Sequence, residues 1–159
     1  MKRILIDSNA LTLFVLGTVN QHYIGRHRRL SIYDEDDFGL LSLYISNCKE
    51  VVITPNIWTE VDNLCHDQIH GEDKTTYISL MQKIHTDWIP GFVEEFVRTM
   101  DAVRMTEYSY IGLSDTVILK LSKDCDLLIT ADSQLSDLAR AQGIQVLDLK
   151  AEVTRKALL

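Results

Sequence analysis

The sequence predicts an α/β protein, a three-layer α/β/α sandwich around a central, mainly parallel sheet of four to five strands. Two observations predict it. Short apolar runs such as Ile4-Leu5-Ile6, Val51-Val52-Ile53 and Leu127-Leu128-Ile129 read as buried strands. Stretches with helical spacing separate them, and that alternation implies parallel pairing under helices on both faces. A length of 159 residues suits one sizeable core. With no internal repeat and no Pro/Gly-rich linker, residues 1–159 read as a single domain.

Taken in order, residues 3–7 form a strand ending in Asp7, and residues 9–17 a short helix closing at Gly17, with Leu11, Phe14 and Val15 on one face. Residues 18–33 are a polar connection. Residues 34–47 read as a helix whose first turn collects Asp34, Glu35, Asp36 and Asp37, where the helix dipole favours acids. The second strand covers 51–54, and Pro55 suits the first turn of the helix that follows. Residues 66–73 are a turn, 74–87 a helix and 91–104 a further helix. A helix runs from Ser114, its N-cap, to Ser122. Residues 127–130 and 145–149 are strands, with a helix over 134–142 between them.

The net charge of −7 is unfavourable for binding a phosphate backbone. Removing four carboxylates that hold metal would leave −3, and bound cations would add local positive charge. Cys48, Cys65 and Cys125 form no CxxC pair, and an odd number argues for reduced, partly buried thiols. No apolar run approaches the roughly 20 residues of a membrane span, so a cytoplasmic location is expected.

The chemistry lies in the acids. Asp7 ends the first strand, and Asp132 lies two residues beyond the Leu127–Thr130 strand. Asp115 sits in the first turn of its helix, and Glu60 in the second turn after Pro55. Right-handed crossovers place all four where strands hand over to helices, on the C-terminal edge at which sites form in such sheets. Each alone has an ordinary explanation: Asp7 and Asp132 as helix N-caps, Asp115 as a first-turn acid, Glu60 as a surface residue. Their joint placement points to more. Converging carboxylates repel, and a hard cation such as Mg²⁺ or Mn²⁺ is the usual neutraliser. A metal so held can activate water and stabilise charge on a phosphate.

The segments Ile4-Leu5-Ile6-Asp7-Ser8-Asn9, Ile53-Thr54-Pro55-Asn56-Ile57-Trp58-Thr59-Glu60-Val61, Gly112-Leu113-Ser114-Asp115 and Leu128-Ile129-Thr130-Ala131-Asp132-Ser133 resemble, in this order, the PIN domain family. The resemblance implies a Mg²⁺- or Mn²⁺-dependent ribonuclease in which Asp7, Glu60, Asp115 and Asp132 bind metal and Asn9, Thr130 and Ser133 support them. It implies products with a 5′-phosphate and a 3′-hydroxyl. Compact members include toxins of the VapC type, silenced by an antitoxin protein, so an antitoxin partner and a homodimer are expectations too. RNA is the expected substrate, with single-stranded DNA a second. A PIN-fold module that no longer cuts and serves binding or assembly is the alternative, favoured by the acidic charge alone.

Arg26-His27-Arg28-Arg29 is the densest basic run. Arg26, Arg28 and Arg29 read either as a phosphate-gripping loop or as a solvated surface loop. Trp58 and Trp88 read as packing residues, whereas Tyr108 and Tyr110, just before Gly112, could reach a substrate.

Overall fold

A computed structural model describes residues 2–87 and 91–158; Trp88 lies outside them. The first strand, β1 (Lys2–Ile6), is followed by α1 (Ser8–Val19), a 3-10 turn at Gln21–Tyr23, α2 (Glu35–Ser46), β2 (Cys48–Ile53), α3 (Pro55–Cys65) and α4 (Gly71–Thr86). Then come β3 (Gly91–Glu94), α5 (Thr99–Val103), α6 (Tyr108–Ser122), β4 (Leu127–Thr130), α7 (Ser133–Ala141), β5 (Val146–Asp148) and α8 (Leu149–Lys156). The strands pair in the order β3-β2-β1-β4-β5, all parallel. On one side α1 packs against α2, α3 and α4; on the other α6 packs against α5 and α7. The result is the α/β/α sandwich that the alternating pattern implies.

The central strand explains the architecture. Ile4, Leu5 and Ile6 are all buried, because helices cover both faces of β1. Burying each such side chain contributes roughly 1.5–3 kcal/mol. Arg3 closes the polar end of β1, hydrogen-bonding Glu50 at 2.6 Å and pairing also with Glu95.

Three elements differ from the sequence reading. Residues 91–104 are not one helix. Gly91–Glu94 adds β3 to the free edge of β2, and only Thr99–Val103 is helical. The Phe92 ring lies 6.3 Å from Phe14 and 6.1 Å from Trp58, so long-range packing overrides the local helical spacing. Gly17 does not stop α1, which continues to Val19. A Cβ there would stand 2.4 Å from the Phe38 ring, so Gly17 makes room for Phe38 of α2 against α1. Nearly every residue from Ser8 to Gly17 is buried, so α1 is a core helix rather than a one-faced one.

The third difference is at α6. Two helical segments meet at Gly112, which has φ 75° and ψ −177°, so the helix expected from Ser114 begins just after Gly112 and an unexpected turn over 108–111 precedes it. That conformation is essentially reserved for glycine. It separates a first turn carrying Tyr110 from the long segment carrying Asp115.

Candidate metal centre

Strand β1 leads away to β2 on one side, while β4 returns on its other side. The C-terminal ends of β1 and β4 therefore bound the crevice where the connections diverge, the usual position of a site in an open parallel sheet. Asp7 leaves β1 at this point and Asp132 follows β4.

Asp7 is buried and accepts three hydrogen bonds. Its Oδ1 takes the amide of Ala10 at 2.7 Å and so caps α1. Its Oδ2 takes the Thr130 hydroxyl at 2.5 Å and the Ala131 amide at 2.7 Å. A carboxylate offers about four lone-pair positions, so one of those on Oδ1 stays uncommitted. Burial pushes the Asp7 carboxyl up, the three hydrogen bonds pull it down, and Asp132 pushes it up further, with a net rise. Thr130 is fully buried and joins two acids. It donates to Asp7, and its oxygen accepts the Asp132 amide at 3.0 Å. Asp132 caps α7 through Oδ1 to the Leu135 amide at 2.8 Å. The capping and site-forming explanations of Asp7 and Asp132 are therefore compatible: one oxygen starts a helix while the carboxylate still faces the crevice.

Asp115, half-buried on α6, completes the electrostatic picture. Burial raises its carboxyl first, then Asp132, Asp7 and Glu60 raise it further, to about 6. The other three predicted acids are thus within electrostatic reach of Asp115. Among the described residues, no Lys or Arg pairs with any of the four. Glu60 is half-buried on α3 and faces Ser114 of α6 across a shallow groove.

The donor chemistry fits a hard, hydrated cation. Among the described residues, no group of three or more His, Cys, Asp or Glu side chains is disposed to hold an ion unaided. Mg²⁺ keeps several waters and takes only one or two carboxylates directly. Asn9, on the first turn of α1, has a buried Oδ1 with no hydrogen-bond partner. A buried, unused amide oxygen costs about 1–3 kcal/mol unless something polar meets it.

The other predicted residues fall into two groups. Ser133 is exposed in the first turn of α7, beside Asp132. Arg26, Arg28 and Arg29 are exposed, and no ion pair joins them to the acids. Their loop is nonetheless fixed. Buried His27 bonds the Leu64 carbonyl through Nε2 at 3.1 Å, and the Arg29 amide donates to its Nδ1 at 3.2 Å.

Sequence reasoning missed two residues. Asp148 ends β5 in register with Thr130, is buried, and caps α8 through the Ala151 amide at 2.9 Å. It carries the same strand-terminal signal as Asp7, and that signal could have found it. Tyr33 is buried in the loop before α2; burial, then Asp7, Asp37 and Asp148, raise its hydroxyl. No local pattern marks it. Asp37 itself is no mere dipole acid: it shares a capping box with Asp34, and Lys156 of α8 holds both, at 2.9 and 2.7 Å.

Replacing Thr130 by valine, of nearly equal volume, removes the donor to Asp7 and the acceptor for the Asp132 amide together. Divalent-metal affinity, read by calorimetry, is expected to fall roughly 10- to 100-fold, the usual cost of losing a partner of a ligating group. Unchanged affinity in a folded variant would show that Thr130 does not orient the acids.

No family model matches the chain, and no curated protein matches it. Among solved structures it is similar to a domain of a functionally unknown protein from Methanocaldococcus jannaschii DSM 2661, at 17% identity over 93% of this chain and 91% of that one, with a TM-score of 0.48.

Proposed function

We propose that this chain is a PIN-like nuclease that uses Mg²⁺ or Mn²⁺ to hydrolyse phosphodiester bonds of RNA. One observation carries the proposal. Burial raises the Asp115 carboxyl, Asp132, Asp7 and Glu60 raise it further, and among the described residues no Lys or Arg pairs with any of the four. A folded protein keeps such a repulsive cluster when a cation neutralises it in use.

Asp7, Asp115 and Asp132 would hold the ion, with Glu60 reaching it directly or through water. The bound ion supplies an activated water and charge neutralisation at phosphorus. The chain supplies rigidity. Thr130, Ala131 and Ala10 fix the plane of the Asp7 carboxylate, and the start of α7 fixes Asp132. Groups held this way need little reorganisation as charge develops on the substrate.

The test is cleavage of end-labelled, mixed-sequence RNA and single-stranded DNA with Mn²⁺, Mg²⁺ or EDTA. RNA is expected to be cut with either metal and left intact in EDTA, giving 5′-phosphate ends. Cleavage that persists in EDTA, or no cleavage by folded protein, overturns the proposal.

A further inference from the structure

Two grooves are lined by one of the four acids or by their sequence neighbours. In one, Asn56, Glu60 and Asn63 of α3 face Ser114 of α6 around about 340 Å³. In the other, Tyr110 of α6 stands over Ser133, Gln134 and Asp137 of α7 around about 620 Å³. The first groove contains Glu60 and the neighbour of Asp115; the second begins at the neighbour of Asp132. Asp115 feels the charges of both Glu60, in the first groove, and Asp132, next to the second, which links the two grooves to the acids. A larger groove of about 900 Å³, between the end of α1 and α4, contains none of the four acids.

Among the described residues, neither groove is lined by a Lys or Arg, and each contains an acid, Glu60 or Asp137. Phosphate has no anchor in either. Bases and sugars do: the amides of Asn56, Asn63 and Gln134 and the hydroxyls of Ser114 and Ser133 can hydrogen-bond them. Tyr110 adds a stacking face. Its side chain is 72% exposed, yet the turn beneath it is held in place. Glu107, at the head of α6, accepts from Gln142, at the foot of α7, at 2.7 Å, and Ile111 packs onto the core. The glycine-only break at Gly112 sets this turn apart from the acid-bearing segment. An aromatic ring on a fixed backbone stacks with little further loss of freedom.

We propose that a single strand of nucleic acid crosses the acids from the Asn56–Asn63 groove to the Tyr110 groove, with one base stacked on Tyr110. The proposal rests on the nuclease reading above. It adds that the substrate is unpaired, because the bases of a duplex are already stacked on one another and offer no free face.

The test uses full-length protein carrying Asp7→Asn, so that the probe stays intact, with Mg²⁺ present. Fluorescence anisotropy follows binding of a labelled mixed-sequence RNA decamer, an abasic strand of the same length and a blunt RNA duplex. Tyr110→Ala is expected to weaken binding of the decamer roughly 5- to 100-fold, the worth of one base–aromatic stack, and to leave binding of the abasic strand unchanged. Tyr110→Trp should bind the decamer normally, and its indole fluorescence should be quenched by the decamer but not by the abasic strand. Equal affinity of Tyr110→Ala and the parent for the decamer, or duplex binding as tight as single-strand binding, overturns the stack. If the Asp7-intact protein nevertheless cuts RNA, the nuclease reading survives that result. If it neither cuts nor binds, both fall. Tyr110→Ala that changes sedimentation but not RNA binding marks the face as a contact between copies of this chain, and overturns the proposal.

Discussion

Asp7→Asn is expected to lower cleavage by at least about 10²–10³-fold, comparable to the loss of one preorganised charge-stabilising group, while leaving the protein folded. Two opposing effects keep the stability change small. Asparagine retains one acceptor, which can still serve either the Ala10 amide or the Thr130–Ala131 pair. Its NH₂ then meets the remaining amide donor, and an unsatisfied buried donor costs about 1–3 kcal/mol. Against this, the substitution removes a buried charge whose carboxyl is held above its ordinary range by desolvation. Cleavage assays and thermal unfolding on the same preparation separate the outcomes. Full activity in Asp7→Asn would sink the metal-site reading, whereas an unfolded variant would show that capping α1 is the dominant task of Asp7.

Asp115→Asn is expected to lose activity and gain stability. The sign follows from the direction of the shift. The Asp115 carboxyl rises from 3.8 to about 6 on folding, so the folded state holds its proton more tightly. Below 3.8 both states are protonated and the residue favours folding fully. Between 3.8 and about 6 the unfolded chain gives up its proton first and stability declines. Above that window the decline is complete. A shift of this size is worth about 3 kcal/mol for a fully buried group, and solvent screening of this half-buried carboxyl reduces it to about 1 kcal/mol. In EDTA at pH 7.5 the variant should melt about 2–4 °C above the parent, and the difference should vanish below pH 4. Millimolar Mn²⁺ should raise the parent more than the variant, since a ligand that binds only the folded state stabilises it. A lower melting temperature for the variant at pH 7.5 would show that Asp115 makes favourable contacts that outweigh its repulsion.

Much of this framework could be read without coordinates because it depends on short-range signals. Strands β1, β2 and β4 are apolar runs bounded by turns or acids, and an acid placed one or two residues beyond such a run reaches the sheet edge in any right-handed parallel fold. Asp7 and Asp132 are legible on that basis, and Asp115 from the start of the helical run after Gly112. What stayed hidden depends on residues far apart in sequence. Four residues, Gly91–Glu94, become a strand because β2 offers a free edge and Phe14 and Trp58 receive Phe92. Gly17 looked like a stop because its neighbour Phe38 is 21 positions away. Tyr33 comes near Asp7 only because the 20–33 loop folds back, pinned by His27 to the end of α3. The Asn9 carbonyl could be placed on the first turn of α1, but its lack of a partner could not be foreseen.

Gly112 gives the chain an asymmetric inheritance. The charged Asp115 carboxyl opposes folding in the unliganded protein, so a lineage that stopped cutting would gain stability by replacing it. Gly112 has no such freedom: no atom crowds the space a Cβ would occupy, but every other residue is strained at its backbone angles. A descendant that has abandoned catalysis and kept the fold would lose Asp115 while retaining this glycine. Finding both together in a relative is therefore the mark of a site still under selection for chemistry.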